Sequence, residues 1–114
     1  MFDFEKLTVY TKAKIYNKEI SKVLKQITID AATRNQLRRS SLSIVLNIAE
    51  GTGRNTNADK RNFYVISRGS VFECVAILDL LKDEDVLSEV LFKEFYMKSD
   101  ELSRMLYAMI QRLS

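Results

Sequence analysis

The 114-residue chain contains no proline and only three glycines, and this scarcity constrains its fold more than any other feature. Folds made of many short strands need frequent turns, and proline and glycine are the residues that most often form them. We therefore expect long helices with short connections. Since 46% of the residues are hydrophobic and 29% are charged, the composition is ordinary for one globular domain. We predict a single domain over residues 1–114.

Apolar residues recur with helical spacing in four segments, which predicts an all-α fold of four helices. The predicted ranges are about 5–26, 30–54, 58–82 and 89–113. Three residues with short polar side chains precede helical segments and are predicted to cap them, namely Asp30, Asn57 and Ser88. The segment KDEDVLSEV is the predicted connection between the third and fourth helices.

The second and third helices are apolar over more of their circumference than a four-helix core can cover. A helix in such a core needs an apolar arc of about 100°. The second helix carries an additional flank of Leu42, Leu46 and Ala49. The third helix has two apolar faces, one of which contains Ile66 and Cys74. Exposed surfaces of this kind mark interaction sites, so the sequence predicts that the chain is not a monomer.

A polar stripe on the second helix interrupts this apolar surface. Ser43, Asn47 and Glu50 lie on one side of the helix, with an arginine at each end. Serine and asparagine are weaker helix formers than the Lys, Glu and Gln typical of a solvated surface, which favours close packing. One interpretation is hydrogen bonding to a neighbouring helix, at Arg68, Ser70 or Glu73, because buried polar groups must be paired. The other is a surface that binds a ligand or nucleic acid. In either case we expect Glu50 to be partly buried.

Basic residues are concentrated in the first half of the chain. Residues 1–68 contain 13 Lys/Arg and 6 Asp/Glu, whereas residues 69–114 contain 5 and 9. Lysines at positions 14, 18 and 22 form a stripe on the first helix, which is either a solvated surface or a phosphate-binding one. Arginines bind phosphate well, and those near the second-to-third turn are expected to cluster. The candidate nucleic-acid-binding residues are Lys14, Lys18, Lys22, Arg38, Arg39, Arg54, Lys60, Arg61 and Arg68.

The residues needed for several kinds of chemistry are absent. Without histidine, the chain lacks the commonest general base and metal ligand. The segment GTGRNTNADK lacks the lysine of a phosphate loop and follows a helix rather than a strand. We predict no catalytic activity, no cofactor and no metal site. One cysteine, no secretory signal and no apolar run of about 18 residues predict a cytoplasmic protein that does not contact the membrane.

Three segments carry a resemblance to a known family. They are FEKLTVYTKA (4–13), NQLRRSSLSIVLNIAEGTGR (35–54) and RNFYVISRGSVFECVAILDLL (61–81). The combination of NIAEG, followed by a glycine and an arginine, with a later RGS-x-x-E element is specific. In these segments the chain resembles the small bacterial four-helix-bundle proteins named after the open reading frame in 23S rRNA intervening sequences. The polar and glycine positions of these motifs are Ser43, Asn47, Glu50, Gly51, Gly69, Ser70 and Glu73.

The resemblance implies an antiparallel up-down four-helix bundle that assembles into a ring, with a homopentamer expected, and it implies no established activity. Related-looking accessory proteins of diversity-generating retroelements bind nucleic acid, which is an analogy only. We expect an oligomeric helical scaffold or binding module with structured RNA as its partner. The alternative is a scaffold that binds only protein, since a net charge of +3 is a weak signal for nucleic-acid binding.

Overall fold

The computed structural model describes residues 1–114 and contains four α-helices. They are α1 (Thr8–Leu24), α2 (Ala31–Thr52), α3 (Asn57–Asp83) and α4 (Glu89–Arg112), and a short 3-10 helix (Asp3–Lys6) precedes them. Each helix contacts the next along the chain, and α4 also contacts α1, which closes the bundle. The predicted all-α four-helix fold is confirmed.

Side-chain contacts between neighbouring helices run in opposite sequence order, so these helices are antiparallel. On α1 and α2, Ser41 donates to Asn17 and Arg38 donates to Ser21. The same reversal is found between α1 and α4, where Lys12 pairs with Glu101 and Lys98 pairs with Glu19. The arrangement follows from connections too short for a parallel crossover.

Two of the three predicted helix caps are in place. The carboxylate of Asp30 accepts hydrogen bonds from the backbone N–H of Thr33 at 2.9 Å and from its hydroxyl, and these bonds lower the pKa of Asp30. Ser88 accepts from the backbone N–H of Leu91 at 3.2 Å. The prediction of Asn57 is wrong by one residue, because Thr56 accepts the capping bond and Asn57 is already helical.

The first helix begins three residues later than predicted. Leu7 has an extended backbone, with φ −82° and ψ 128°, and separates the 3-10 helix from α1. No side chain caps the N-terminus of α1, so the sequence holds no start signal there. The ring of Phe4 packs against Tyr10 with centroids 4.7 Å apart, which holds the 3-10 helix against the bundle.

The core contains 19 buried apolar residues contributed by all four helices and by Leu87 of the α3–α4 connection. Its polar groups are paired. The hydroxyls of Tyr16 and Ser99 are 2.8 Å apart, and Ser67 donates to the carbonyl oxygen of Ile44 at 2.8 Å. No buried side-chain nitrogen or oxygen lacks a hydrogen-bond partner, as expected of a well-packed interior.

Apolar side chains remain exposed on α2 and α3. Leu42 and Leu46 of the predicted flank are 43% and 54% exposed. Both apolar faces predicted on α3 contribute to the core, but Ile66 of the first face is 51% exposed. The other exposed large residues of α3, Val65, Phe72 and Leu80, belong to neither predicted face. The two helices therefore present more apolar surface than the single chain covers.

Candidate functional site

A polar seam, formed by Gln36, Ser40 and Ser43 of α2 and by Ser70 and Glu73 of α3, joins these two helices. The Ser70 hydroxyl donates to Ser43 Oγ at 2.8 Å. The Gln36 amide donates to the Glu73 carboxylate at 2.8 Å, and the Ser40 hydroxyl also donates to it. Each bond links a specific pair of residues, so the seam fixes how α2 and α3 are aligned. This geometry corresponds to the packing interpretation of the polar stripe.

Gly51 lies at a close approach of α2 to α3. A Cβ atom at this position would be 2.8 Å from Phe63 Cβ, 3.0 Å from a ring carbon of Tyr64 and 3.2 Å from the Lys60 carbonyl oxygen. A separation below 3.0 Å from another Cβ is a steric clash that the helices would have to relieve by moving apart. Glycine at position 51 therefore allows the helix pair to close.

Asn47 and Glu50 belong to the predicted stripe but do not reach α3. The Asn47 amide donates to the backbone oxygen and the hydroxyl of Ser43, both at 2.9 Å, within its own helix. The Glu50 carboxylate is 2.8 Å from the Arg54 guanidinium, and its side chain is 55% exposed. The expectation that Glu50 is partly buried is wrong for the single chain, because Glu50 lies on the outer edge of α2.

Four of the candidate basic residues surround the α2–α3 connection or α3, and each is held by another group of the chain. Arg54 pairs with Glu50, as described above. Lys60 donates to the carbonyl oxygen of Thr52 at 3.0 Å, and Arg61 donates to that of Leu113 at 3.0 Å. Arg68 donates to the carbonyl oxygen of Ser103 and its guanidinium lies against the rings of Phe72 and Tyr107. These side chains contribute first to the packing of the bundle.

Four of the five remaining candidates, with two further cations, form a basic face on α1, α2 and the turn between them. Its members are Lys14, Lys18, Lys22, Lys25, Arg34 and Arg38. None of them forms an ion pair. Between the two helices, Lys25, Arg34 and Arg38 line an open cavity of about 510 Å³, and no carboxylate lines it.

One member of the basic face has a structural role. The Arg34 guanidinium donates to the backbone oxygens of Leu24 and Ile27 in the last turn and exit of α1. Carbonyl groups at a helix C-terminus have no partner within the helix, so Arg34 satisfies two acceptors there. It also holds the positive charge of α2 beside that of Lys25.

The candidate arginines do not form the single cluster predicted near the second-to-third turn. Arg38 lies on α2 and Arg54 lies just beyond its end, 16 positions later, which is roughly 24 Å at the helical rise per residue. Arg39 lies near Arg38 in sequence, is exposed and forms no ion pair. The candidate basic residues therefore fall into three groups. Some belong to the basic face, Arg39 and Arg54 lie on the outer side or at the end of α2, and the candidates on α3 form contacts within the bundle.

Comparison with known proteins agrees with this architecture. The model of the 23S rRNA-intervening sequence protein family matches residues 5–108. The chain belongs to this family. No curated protein matches the chain. The match to the 23S rRNA-intervening sequence protein family confirms the family that the two motifs predicted.

A solved structure shares the fold of this 23S rRNA-intervening sequence protein. It is a protein of unknown function from the S23 ribosomal protein family of Bacteroides thetaiotaomicron, with a TM-score of 0.86 and 23% sequence identity. The match covers 90% of the present chain and 98% of the other. At this identity the likeness concerns the fold alone.

The two motifs of this 23S rRNA-intervening sequence protein lie on the facing helices α2 and α3. Gly51 of the first motif permits their close approach, and Ser70 and Glu73 of the second belong to the polar seam. Gly69 of the second motif differs from Gly51 in its surroundings, because a Cβ atom built at Gly69 would meet nothing within 4 Å. Its place in the motif has no explanation within one chain.

Sequence reasoning missed several polar partners in this 23S rRNA-intervening sequence protein. Ser67 bonds to the backbone of α2, and Thr52 and Tyr64 share a hydrogen bond of 2.8 Å. The serine had a signal, since it lies three residues before Ser70 on a largely apolar helix. The sequence contains no signal for the hydrogen bond of Tyr64, because Tyr64 has the spacing of an ordinary core residue.

The exposure of Glu50 leads to a prediction of a small effect. We expect Glu50→Ala to change the free energy of unfolding by about 0.5 kcal/mol or less, as is typical of an exposed pair four residues apart on a helix. Urea unfolding of dilute, single-chain protein measures this value, with Asp100→Ala as the control because Asp100 forms a similar pair with Arg104. A loss of about 3 kcal/mol would mean that Glu50 is buried in solution.

No helix in the structure combines the length and the apolar character needed to cross a membrane. No group of three or more Cys, Asp or Glu side chains is placed to hold a metal ion.

Proposed function

We propose that this protein is an oligomeric helical module that binds structured RNA through the basic face of α1 and α2. The observation that carries the proposal is the set of six cations that form no ion pair. Phosphate groups bind to Lys and Arg with release of counterions, which makes unpaired surface cations favourable contacts. The family takes its name from rRNA intervening sequences, which makes structured RNA the first polyanion to test. The proposal includes no catalytic step.

Assembly strengthens this proposal, since each chain offers only a few phosphate contacts. Several copies on one RNA would combine weak sites into a tighter complex without any new contact. The exposed apolar residues of α2 and α3 support self-association, and we propose a ring, with five copies as the expected number. Binding would show little sequence preference, because contacts to phosphate carry no base information.

A scaffold that binds only protein is the second candidate. It is favoured by the net charge of +3, which is small for a nucleic-acid-binding protein. It is also favoured by the contacts of Arg54, Lys60, Arg61 and Arg68 within the chain. Direct measurement of RNA binding separates the two candidates.

Two double variants with the same change in net charge test the basic face. We expect Lys14→Glu/Lys18→Glu to weaken binding of a hairpin RNA at least about tenfold at low salt, and to lower the slope of log affinity against log salt by about 2. Arg54→Glu/Arg61→Glu is the matched control, and we expect a much smaller change because these arginines are held by other groups. Fluorescence anisotropy at a series of salt concentrations gives both quantities.

Two results would contradict the RNA proposal. Equal weakening by the two double variants would mean that binding follows overall charge rather than the basic face. An absence of binding to duplex and hairpin RNA at about 50 mM salt, where phosphate contacts are strong, would leave the protein scaffold as the function. Light scattering of each variant checks that its assembly is unchanged.

A further inference from the structure

The open cavity at one end of the basic face has a lining suited to an anion. It lies between the C-terminal part of α1 and the first turns of α2, and its volume is about 510 Å³. This volume is in the range of small-molecule sites. The lining consists of Ser21, Leu24, Lys25, Arg34, Asn35 and Arg38. All but the leucine have polar side chains, and none is acidic. We call this space the α1–α2 cavity.

Two cations of the α1–α2 cavity are held in place by hydrogen bonds within the chain. The Arg34 guanidinium donates to the backbone oxygens of Leu24 and Ile27, and the Arg38 guanidinium donates to the Ser21 hydroxyl. A guanidinium carries five N–H groups, so these bonds leave donors free on both arginines. A side chain that is already held loses less conformational entropy when a ligand binds. The cavity therefore contains positive charges in fixed positions.

Hydrogen-bond donors outnumber acceptors in the α1–α2 cavity. The Lys25 ammonium adds three donors and the Asn35 amide adds two, and both side chains are exposed. The Ser21 hydroxyl already accepts from Arg38 and donates to the carbonyl oxygen of Asn17 at 3.1 Å. The excess of donors is satisfied best by an anion with several acceptor oxygens, and phosphate is the common biological group of this kind.

The cations of the cavity converge, whereas those along α1 do not. Lys14, Lys18 and Lys22 follow one another at intervals of about 6 Å along the helix. The cavity instead brings three cations from two helices to one space. A phosphate monoester carries about 1.5 to 2 negative charges at pH 7 and three strong acceptor oxygens, whereas each phosphodiester of a nucleic-acid backbone carries one charge. Converging cations therefore favour a monoester, which in RNA occurs at the end of the chain.

An acidic residue marks the end of the basic face beyond the cavity. Asp30 lies one turn before Arg34, at the start of α2, and Thr33 holds its carboxylate with two hydrogen bonds. This carboxylate is ionised at neutral pH. An RNA backbone that followed α1 and continued past the cavity would bring phosphate towards a like charge. A backbone that ends in the cavity avoids this repulsion.

We propose that the α1–α2 cavity binds a terminal phosphate monoester of RNA, while the backbone behind it lies along the lysines of α1. This inference rests on the proposed function and names the RNA group that the cavity selects. The protein would then distinguish RNA by the chemistry of its ends, although its phosphate contacts carry no base information.

Three forms of one hairpin RNA test this inference, with a 5′-phosphate, with a 3′-phosphate or with hydroxyl groups at both ends. A fluorophore in the hairpin loop leaves the ends free. We expect the wild type to bind at least one phosphorylated form at least about tenfold more tightly than the hydroxyl form, because the monoester adds charge-assisted hydrogen bonds. Fluorescence anisotropy at about 50 mM salt measures the three affinities, and the two phosphorylated forms show which end is selected.

Two double variants with the same change in net charge separate the cavity from the rest of the basic face. Lys25→Gln/Arg38→Gln removes two cations of the cavity, and we expect it to abolish the preference for a phosphorylated end. Lys14→Gln/Lys18→Gln is the matched control outside the cavity. We expect it to weaken binding of all three RNA forms and to keep the preference. The four side chains are exposed, so circular dichroism should show unchanged helix content in both variants.

The outcomes distinguish this inference from the proposed function. Equal binding of the three RNA forms by the wild type would overturn the cavity assignment and leave RNA binding in place. A preference that persists in Lys25→Gln/Arg38→Gln would overturn the assignment as well. If no RNA form binds, the proposed function fails, and calorimetric titration with a nucleoside 5′-monophosphate decides on the cavity alone. Binding of the monophosphate but not of the nucleoside would support the assignment, and no binding at millimolar concentration would overturn it.

Discussion

Cys74 of the folded protein is expected to react with a thiol reagent at pH 8 about a thousandfold more slowly than the thiol of the unfolded chain. The thiolate is the reactive form, and burial in the core raises the pKa of Cys74 to about 12. An unburied thiol has a pKa of about 8.5. Since Cys74 is the only cysteine, the rate of modification reports on this one site.

The control for this reaction is Cys74→Ser/Ala108→Cys, which moves the single thiol to an exposed position on α4. It should react at close to the rate of the unfolded chain. Folded wild-type protein that reacts within about tenfold of this control would contradict the burial of Cys74.

Burial also raises the pKa of Tyr16. Because both groups must keep their protons in the folded state, stability should be fully present below about pH 8, where the unfolded thiol is also protonated, and decline as the pH rises towards 12.

Gly51→Ala is expected to lower the free energy of unfolding by about 1 to 3 kcal/mol, as overpacking in a tight interior does. The added methyl group would lie 2.8 Å from Phe63 Cβ, which is fixed to the α3 backbone and cannot rotate away. Alanine is the better helix former by about 1 kcal/mol, so the clash must exceed that gain. Urea unfolding monitored by circular dichroism measures the difference.

Gly53→Ala is the matched control for Gly51→Ala. It adds the same methyl group two residues later, where the nearest atoms would be backbone oxygens at 3.6 and 3.9 Å, which are ordinary contact distances. Gly53 has φ −83°, which alanine adopts freely. We expect the control to leave stability unchanged or slightly raised. If the two variants behave alike, the close approach of α2 and α3 at Gly51 is not present in solution.

The helices and most of their core were predictable from spacing and from capping side chains. Asp30 and Ser88 mark the starts of α2 and α4 because each accepts a bond from a backbone N–H of the first turn. The start of α1 was not predictable, because Leu7 has no side chain that can form a cap. Asn57 was predicted in place of Thr56 because two adjacent residues with capping side chains compete for one position.

The candidate sites were less predictable, because they depend on how helices lie against one another. Spacing placed Glu50 on the same stripe as Ser43, but only the packing of α3 decides that Ser43 is in the polar seam and Glu50 is outside it. In the same way, spacing does not distinguish Arg61, which donates to the end of α4, from Lys14, which pairs with no carboxylate. The basic face combines residues of α1 and α2, and a single sequence does not specify which sides of two helices lie next to each other.

Arg34 changes the electrostatic character of the end of α1. The C-terminus of a helix carries about half a negative charge on its free carbonyl groups, and such an end repels phosphate. The guanidinium that binds the Leu24 and Ile27 carbonyl oxygens brings a full positive charge to the same place. The result is a helix C-terminus with a net positive field, so the basic face attracts anions as far as the α1–α2 turn.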